Sequence, residues 1–276
     1  MNYRVSDLGT RDIQKITVEN DCPEKQGGVG YAGTEFVTES ALVAVMVAGM
    51  VNDRKIREEL VRYAHRLHQA GFVAATDGNL SVRMDSRRIL TTPTCMSKGD
   101  LKPYDLVIVD YEGRKLSGRR QASSELAMHL LIYSMRDDVN AIVHSHPPTA
   151  TGFAAAGLAL NQPLVCEVVM GLGSIPLARY GTPGTPELTA SLVPYVRDYD
   201  AILMANHGVV TYGEDVQHAY MRMETVEHFA KIALVTRQLG SQRLLDGPQL
   251  AKLVEARRRY AGTTSRATMP LQPAGD

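Results

Sequence analysis

From Glu39 to Ala70 apolar residues recur at helical spacing, first in Leu42-Val43 and Val45-Met46, then in Ile56, Leu60, Tyr63-Ala64 and Leu67. That period predicts helix. Asn52-Asp53 can divide it into two helices with an N-cap between them, and Gly71 stands where a C-cap glycine belongs. Beyond Gly71 the period shortens. Leu80–Arg83 and Arg88–Thr91 read as strands joined by a turn at Asp85-Ser86, and Leu106–Val109 as a third, ended by Tyr111-Glu112-Gly113. Ser124–Met135 is predicted helical, with Leu126, Leu130 and Tyr133 on one side and Ser123 as N-cap. A strand over Ala141–His144 and a helix over Thr149–Ala156 follow. Further strands are predicted around Glu167–Val169 and over Ser174–Leu177. A helix opens at Thr185-Pro186-Glu187, where proline suits the first helical position. Strand Ala201–Met204 and a long helix over Val216–Gln238 complete the pattern.

Alternating strands and helices predict an α/β fold, a single three-layer domain with helices on the sheet faces. Periodicity alone leaves strand direction open. Residues 1–38, with their Gly27-Gly28-Val29-Gly30 stretch, have little periodicity and read as an extension without an assigned role. Residues 39–245 then read as the main folded domain, and residues 246–276 as a C-terminal helix and tail.

Composition narrows the function. A chain of 276 residues with 44% hydrophobic content suits one globular domain, able to bury roughly three quarters of its unfolded surface. With 30 basic and 30 acidic residues the net charge is zero, which argues against a nucleic-acid partner. Arg257-Arg258-Arg259 reads as a solvated helix end. Cys22, Cys95 and Cys166 are too scattered for a disulfide framework. The N-terminus lacks a signal-peptide pattern, and the longest apolar run, Ala41–Val51, is too short to span a bilayer. A soluble, cytoplasmic protein without a membrane partner is the expectation.

The sharpest chemical feature is His144-Ser145-His146-Pro147-Pro148, at the end of an apolar strand. Side chains at i and i+2 of a strand share a face, so both imidazoles can occupy adjacent corners of a metal site. Alone, such a pair is more often two ordinary strand-end hydrogen bonds. A third histidine, His207 in Asn206-His207-Gly208, also follows an apolar strand and strengthens the metal reading. His65, His68, His129, His218 and His228 fall in helical patterns and read as core or surface residues. Glu125, in Ser123-Ser124-Glu125, is expected in the first turn of a helix, where negative charge is favoured. The free N–H groups and serine hydroxyls there make a phosphate cradle. Thr76-Asp77-Gly78-Asn79 and Thr92-Pro93-Thr94-Cys95 can add donors, although such loops are usually only turns.

Taken in order, Asp77-Gly78-Asn79-Leu80-Ser81, Thr92-Pro93-Thr94, Ser123-Ser124-Glu125, His144-Ser145-His146 and Asn206-His207-Gly208 resemble the class II aldolase/adducin family, over about Ile56 to Leu234. That family includes L-fuculose-phosphate and L-rhamnulose-phosphate aldolases and L-ribulose-5-phosphate 4-epimerase. The resemblance implies a central, mainly antiparallel sheet flanked by helices, and a homotetramer with active sites between subunits. It implies Zn²⁺, or another divalent metal, on His144, His146 and His207, with Glu125 as movable fourth ligand and acid–base group. It further implies a substrate phosphate held by Asn79, Thr94, Ser123 and Ser124 with backbone donors of Gly78 and Cys95. Glu125 suits the aldolases, since the epimerases carry Asp there. Cys95 replaces a glycine common in the aldolases, so a positive φ there would be costly. No tyrosine precedes Gly173-Ser174-Ile175-Pro176 where the fuculose-phosphate aldolases have one. Glu167 and Tyr260 are further candidates for the site. The implied activity is zinc-dependent cleavage of a (deoxy)ketose 1-phosphate to dihydroxyacetone phosphate and an aldehyde. The alternatives are a 4-epimerase, a sugar-acid phosphate decarboxylase, and an adducin-like interaction module without enzymatic activity.

Overall fold

The computed structural model describes residues 39–260, with side chains over 52–257. The 1–38 extension with Cys22, the side chains of the Ala41–Val51 run, and that of Tyr260 lie outside the described residues. The chain divides into two compact units, Met1–Lys55 and Ile56–Asp276. All that follows α1 belongs to the second.

Helix α1 (Glu39–Gln69) has no interruption at Asn52-Asp53, contrary to the expected break. Each of these residues costs at most about 0.7 kcal/mol in a helix, too little to end one alone. Leu60, Tyr63, Ala64 and Leu67 are buried along its inner stripe. It closes as predicted at Gly71, whose φ is +71°. Gly71 N–H donates to His68 O at 3.0 Å and Phe72 N–H to Leu67 O at 2.9 Å, a glycine cap completed by the buried Phe72–Leu67 pair.

The strands are β1 (Asn79–Arg83), β2 (Ile89–Thr91), β3 (Val107–Val109), β4 (Lys115–Ser117), β5 (Ala141–Ser145), β6 (Leu177–Ala178), β7 (Ala201–Met204) and β8 (Gly208–Gly213). They form one eight-stranded sheet in the order β4-β3-β2-β1-β5-β8-β7-β6. Every adjacent pair is antiparallel except β6–β7. Two strands have no counterpart in the sequence expectation. β4 is an exposed edge with no apolar alternation. β8 is buried throughout, so it lacks alternation too, and its first glycine reads as part of the preceding turn.

The remaining helices are α2 (Leu126–Met135), α3 (Pro148–Ala155), α4 (Cys166–Gly171), α5 (Pro186–Val196), α6 (Val216–Gln238) and α7 (Gly247–Tyr260). α4 occupies the place of the strand expected at Glu167–Val169. A short apolar run does not distinguish strand from helix, and here Val168 and Val169 bury one face while Glu167 stays exposed. The strand expected over Ser174–Leu177 is reduced to β6, with Ile175 bridging to Leu160 instead. Pro176 between them has no N–H to donate to a ladder.

Alternate sheet residues feed two cores. Leu80, Leu90, Val143, Leu203 and Val209 pack with α1, α3 and α6. Ile89, Val107, Ile142, Ile202, Val210 and Tyr212 pack with α2 and α5 on the other face. This is the expected three-layer architecture. Each fully buried Leu, Ile or Val contributes about 1.5–3 kcal/mol.

Candidate active site

Antiparallel pairing brings the candidate residues together. Asn79, first in β1, pairs with His144 near the end of β5, while Ser145 pairs with Val209 at the start of β8. Met204, last in β7, pairs with Gly208. His207 therefore projects from the β7–β8 turn at the sheet end that carries His144 and His146. Asn206 takes φ +55°, a conformation asparagine tolerates better than most residues. A Cβ on Gly208 would run into the His146 ring and Ser145 O.

The ligand nitrogens of His144, His146 and His207 lie within 4.8 Å of one another. Glu125 reaches them from the start of α2, Oε2 at 3.2 Å from His144 Nε2 and Oε1 at 3.1 Å from His207 Nε2. Here the structure corrects the expected helix start. α2 begins at Leu126, with Glu125 rather than Ser123 at the N-cap. Ser123 Oγ accepts from Glu125 N–H at 3.3 Å, and the carboxylate turns to the histidines and to Asn79 Nδ2, 2.9 Å away.

The donor set fits a divalent cation. His144 Nδ1–H donates to Val209 O at 2.9 Å, and His146 Nδ1 faces Asp77 Oδ2 at 3.4 Å. In neutral rings both Nε2 atoms are then unprotonated, and they stand 3.2 Å apart. Two bare lone pairs so close repel unless positive charge lies between them. Glu125 Oε1 and His207 Nδ1 are buried without a hydrogen-bond partner. Three imidazoles and one carboxylate are a donor set that suits zinc.

The electrostatics agree. Burial first, then the neighbouring His144 and His207, pull His146 down to about 4, so it is a neutral ligand at pH 7. Burial opposes ionisation of Glu125, yet the neighbouring His144 and His207 outweigh it and hold the carboxyl well below the usual range.

The phosphate candidates gather beside this cluster. Pro93 bridges to Ala122, Thr94 N–H donates to Gln121 O at 3.1 Å and Ser123 N–H to Thr92 O at 3.2 Å. Thr94 and Cys95 therefore lie next to Ser123 and Ser124. Thr92 N–H donates to Leu80 O at 3.0 Å, adding the β1 end to the group. Gly78 has φ +70°, and a Cβ there would stand 2.8 Å from His144 O, so only glycine fits. Cys95 keeps a φ of +53° without being glycine. Asn79 differs from the others, since both ends of its amide are engaged inside the protein, with Glu125 and His129. Glu167 is on the exposed side of α4.

Three supporting residues escaped the sequence analysis. Lys98 is buried, its ammonium donating to Thr76 O at 2.7 Å and Met96 O at 2.8 Å, which ties the two small-residue loops together. Burial lowers its pKa to about 8 against the pull of Asp77, Cys95 and Glu125. Glu227 of α6 is buried and accepts from Thr149 N–H and from Ala150 N–H at 2.9 Å, capping α3 just after His146-Pro147. Nothing in the local sequence marks either residue. His129 is the third, and its spacing, four residues after Glu125, was the available signal.

Comparison with known proteins agrees with this architecture. Residues 58–234 match the family described as Class II Aldolase and Adducin N-terminal domain. A 5-deoxy-D-ribulose 1-phosphate aldolase of Bacillus thuringiensis serovar kurstaki is 32% identical over 204 residues, 73% of this chain and 95% of that protein. A 3-oxo-tetronate 4-phosphate decarboxylase of Escherichia coli K12 is 34% identical over 207 residues, 73% of this chain and 96% of that protein. Among solved structures, an L-fuculose 1-phosphate aldolase superposes with a TM-score of 0.68 at 30% identity, covering 73% of this chain and 95% of that one. The chain belongs to the class II aldolase/adducin family. Its relatives include both aldolases and decarboxylases that act on phosphorylated sugars or sugar acids. Among the described residues no helix is long and apolar enough to cross a membrane.

Proposed function

We propose that this protein is a zinc-dependent aldolase that cleaves a (deoxy)ketose 1-phosphate to dihydroxyacetone phosphate and an aldehyde. The observation that carries the reading is the placement of Glu125, which touches His144 and His207 while sharing one sheet end with the small-residue loops. His144, His146, His207 and Glu125 would hold the ion. When bound, it would polarise the substrate carbonyl and stabilise the charge of the enediolate left by bond cleavage. Glu125 moves the proton at the enediolate carbon. Thr94, Ser123 and Ser124, with the N–H groups of Gly78 and Cys95, bind the phosphate, and that remote binding holds the reacting carbons in register, while Asn79, its amide engaged by Glu125 and His129, orients the carboxylate instead.

The Escherichia coli relative supports a second reading. Loss of CO₂ from 3-oxo-tetronate 4-phosphate leaves the same three-carbon phosphorylated enediolate as retro-aldol cleavage of a ketose 1-phosphate. The reactions differ in the departing electrophile, CO₂ against an aldehyde. Retro-aldol cleavage also needs a base for the hydroxyl proton of the departing fragment. The proposal includes a homotetramer with sites between subunits, supported by exposed Met221, Leu234 and Val235 on α6 and Leu239 at its C-terminal cap.

The test follows dihydroxyacetone phosphate, aldehyde and CO₂ from metal-stripped and zinc-restored protein. Substrates are 5-deoxyribulose, fuculose and rhamnulose 1-phosphates and 3-oxo-tetronate 4-phosphate. Zinc-dependent aldehyde release supports the aldolase, and CO₂ release alone shifts the assignment to the decarboxylase. Product from neither substrate class sinks both. Glu125→Gln is expected to lower turnover by about 10²–10⁴.

A further inference from the structure

Behind Glu125 runs a line of buried polar side chains from two elements. Tyr133 OH lies 2.9 Å from Ser81 Oγ, and Ser81 Oγ lies 2.7 Å from His129 Nδ1. His129 Nε2 is 2.5 Å from Asn79 Oδ1, and Asn79 Nδ2 is 2.9 Å from Glu125 Oε2. Asn79, Ser81, His129 and Tyr133 are each at most 3% exposed. Two periodicities make the alignment. Glu125, His129 and Tyr133 follow one another at steps of four along the start and inner face of α2. Asn79 and Ser81 are i and i+2 on β1, so they share a face of the sheet.

The direction of every hydrogen bond follows from the carboxylate. An ionised Glu125 only accepts, so the Asn79 atom facing it is the amide N–H. The amide oxygen then faces His129, which has to present Nε2–H. A neutral imidazole with its proton on Nε2 has a bare Nδ1, so the Ser81 hydroxyl donates to it. That uses the one proton of Ser81, and Tyr133 O–H donates to Ser81 in turn. Burial keeps His129 neutral, with its pKa lowered to about 3. No member can reverse without setting two donors or two acceptors face to face, a penalty that is large in a buried network.

We propose that His129 is a positioning residue that, as the Nε2–H tautomer, fixes the orientation of the Asn79 amide and so keeps its N–H directed at Glu125 Oε2. This holds the carboxylate against the histidines between turnovers and returns it there after each proton transfer. The assignment rests on the reading of Glu125 as the acid–base group. Without His129 the amide can turn over and set its oxygen against the carboxylate.

Nitrogen-15 NMR of His129 in zinc-loaded protein tests the tautomer without any activity measurement. The expected spectrum has the proton on Nε2, Nδ1 bare, and no titration from pH 5 to 8. A proton on Nδ1, or a titration near 6.5, overturns the proposal. Kinetics on whichever substrate the wild type turns over supply the second arm. His129→Leu is expected to reduce kcat by about 10–100-fold while changing KM less than twofold. His129→Gln, which keeps a donor toward Asn79, recovers most of kcat. Equal loss in both variants, or a loss confined to KM, overturns the assignment. A wild type inactive on every substrate refutes the functional reading and leaves the tautomer experiment decisive for His129.

Discussion

The histidine cluster and the loops beside it occupy the same end of the sheet but are held differently. Around His144, His207 and Glu125 the side chains are enclosed: His144 is fully buried, and only 8% of His207 and 11% of Glu125 remain exposed, while His146 opens the cluster with a quarter of its side chain exposed. Their backbones belong to strand ends or to a tight turn with glycine at its exit. The Thr94–Cys95 and Ser123–Ser124 loops leave Cys95 and Ser124 exposed and rest on one isolated bridge and a few backbone hydrogen bonds. An enclosed cluster suits chemistry in which charge develops, because low dielectric strengthens each interaction. Open loops suit a phosphate that has to arrive and leave.

That contrast can be broken at four places. The largest effect is expected from His144→Ala, which removes one of the three clustered histidine nitrogens. Zinc measured by metal analysis should fall below stoichiometric, and kcat/KM should drop by about 10³ or more, the equivalent of several kcal/mol. Substituting Ser123→Ala and Ser124→Ala together should leave zinc content intact and raise KM by about 10–100-fold, at about 1.5–3 kcal/mol for a hydrogen bond to a charged group. An unchanged KM would remove these serines from the phosphate site.

A smaller effect concerns pH and stability. His129 has a folded pKa of about 3 against an ordinary 6.5. Between those values the unfolded chain holds the extra proton, so stability rises with pH across the window. Its contribution is complete above 6.5 and is lost as pH falls toward 3. Urea unfolding of metal-free protein should therefore show a steeper acid-side slope than His129→Gln, by up to about 1.4 kcal/mol per pH unit. Parallel slopes would show that His129 is already protonated in the folded protein. The smallest change is expected from Cys95→Gly. It relieves a left-handed conformation worth about 1–2 kcal/mol, less the entropy that glycine adds to the unfolded chain. A net gain of about 1 kcal/mol should appear as a higher urea midpoint with an unchanged slope.

The same contrast separates what could be read along the chain from what could not. His144, His146, His207 and Glu125 each stand at the border of a strong periodic pattern, and such borders locate strand ends and helix starts. Local patterns failed where an element is short or uniformly buried. The Glu167–Val169 run became helix, β8 was absorbed into its turn, and Pro176 cut back a strand that its neighbours suggested. Helix α2 starts two residues later than expected, with the side chain of its N-cap residue turned to His144 of β5 and His207 of the β7–β8 turn.

By itself the sequence determined the three-layer α/β class, most of the elements and the residue types of the site, since periodicity, glycine caps and motif order are properties of neighbours along the chain. Only the tertiary structure decided the strand order that places His207 beside His144, the burial of Lys98 and Glu227, and the line of hydrogen bonds from Tyr133 to Glu125. Those depend on groups up to 78 residues apart, as Glu227 is from Thr149. A proton's place on His129 depends on all of its partners at once, and no local pattern encodes that.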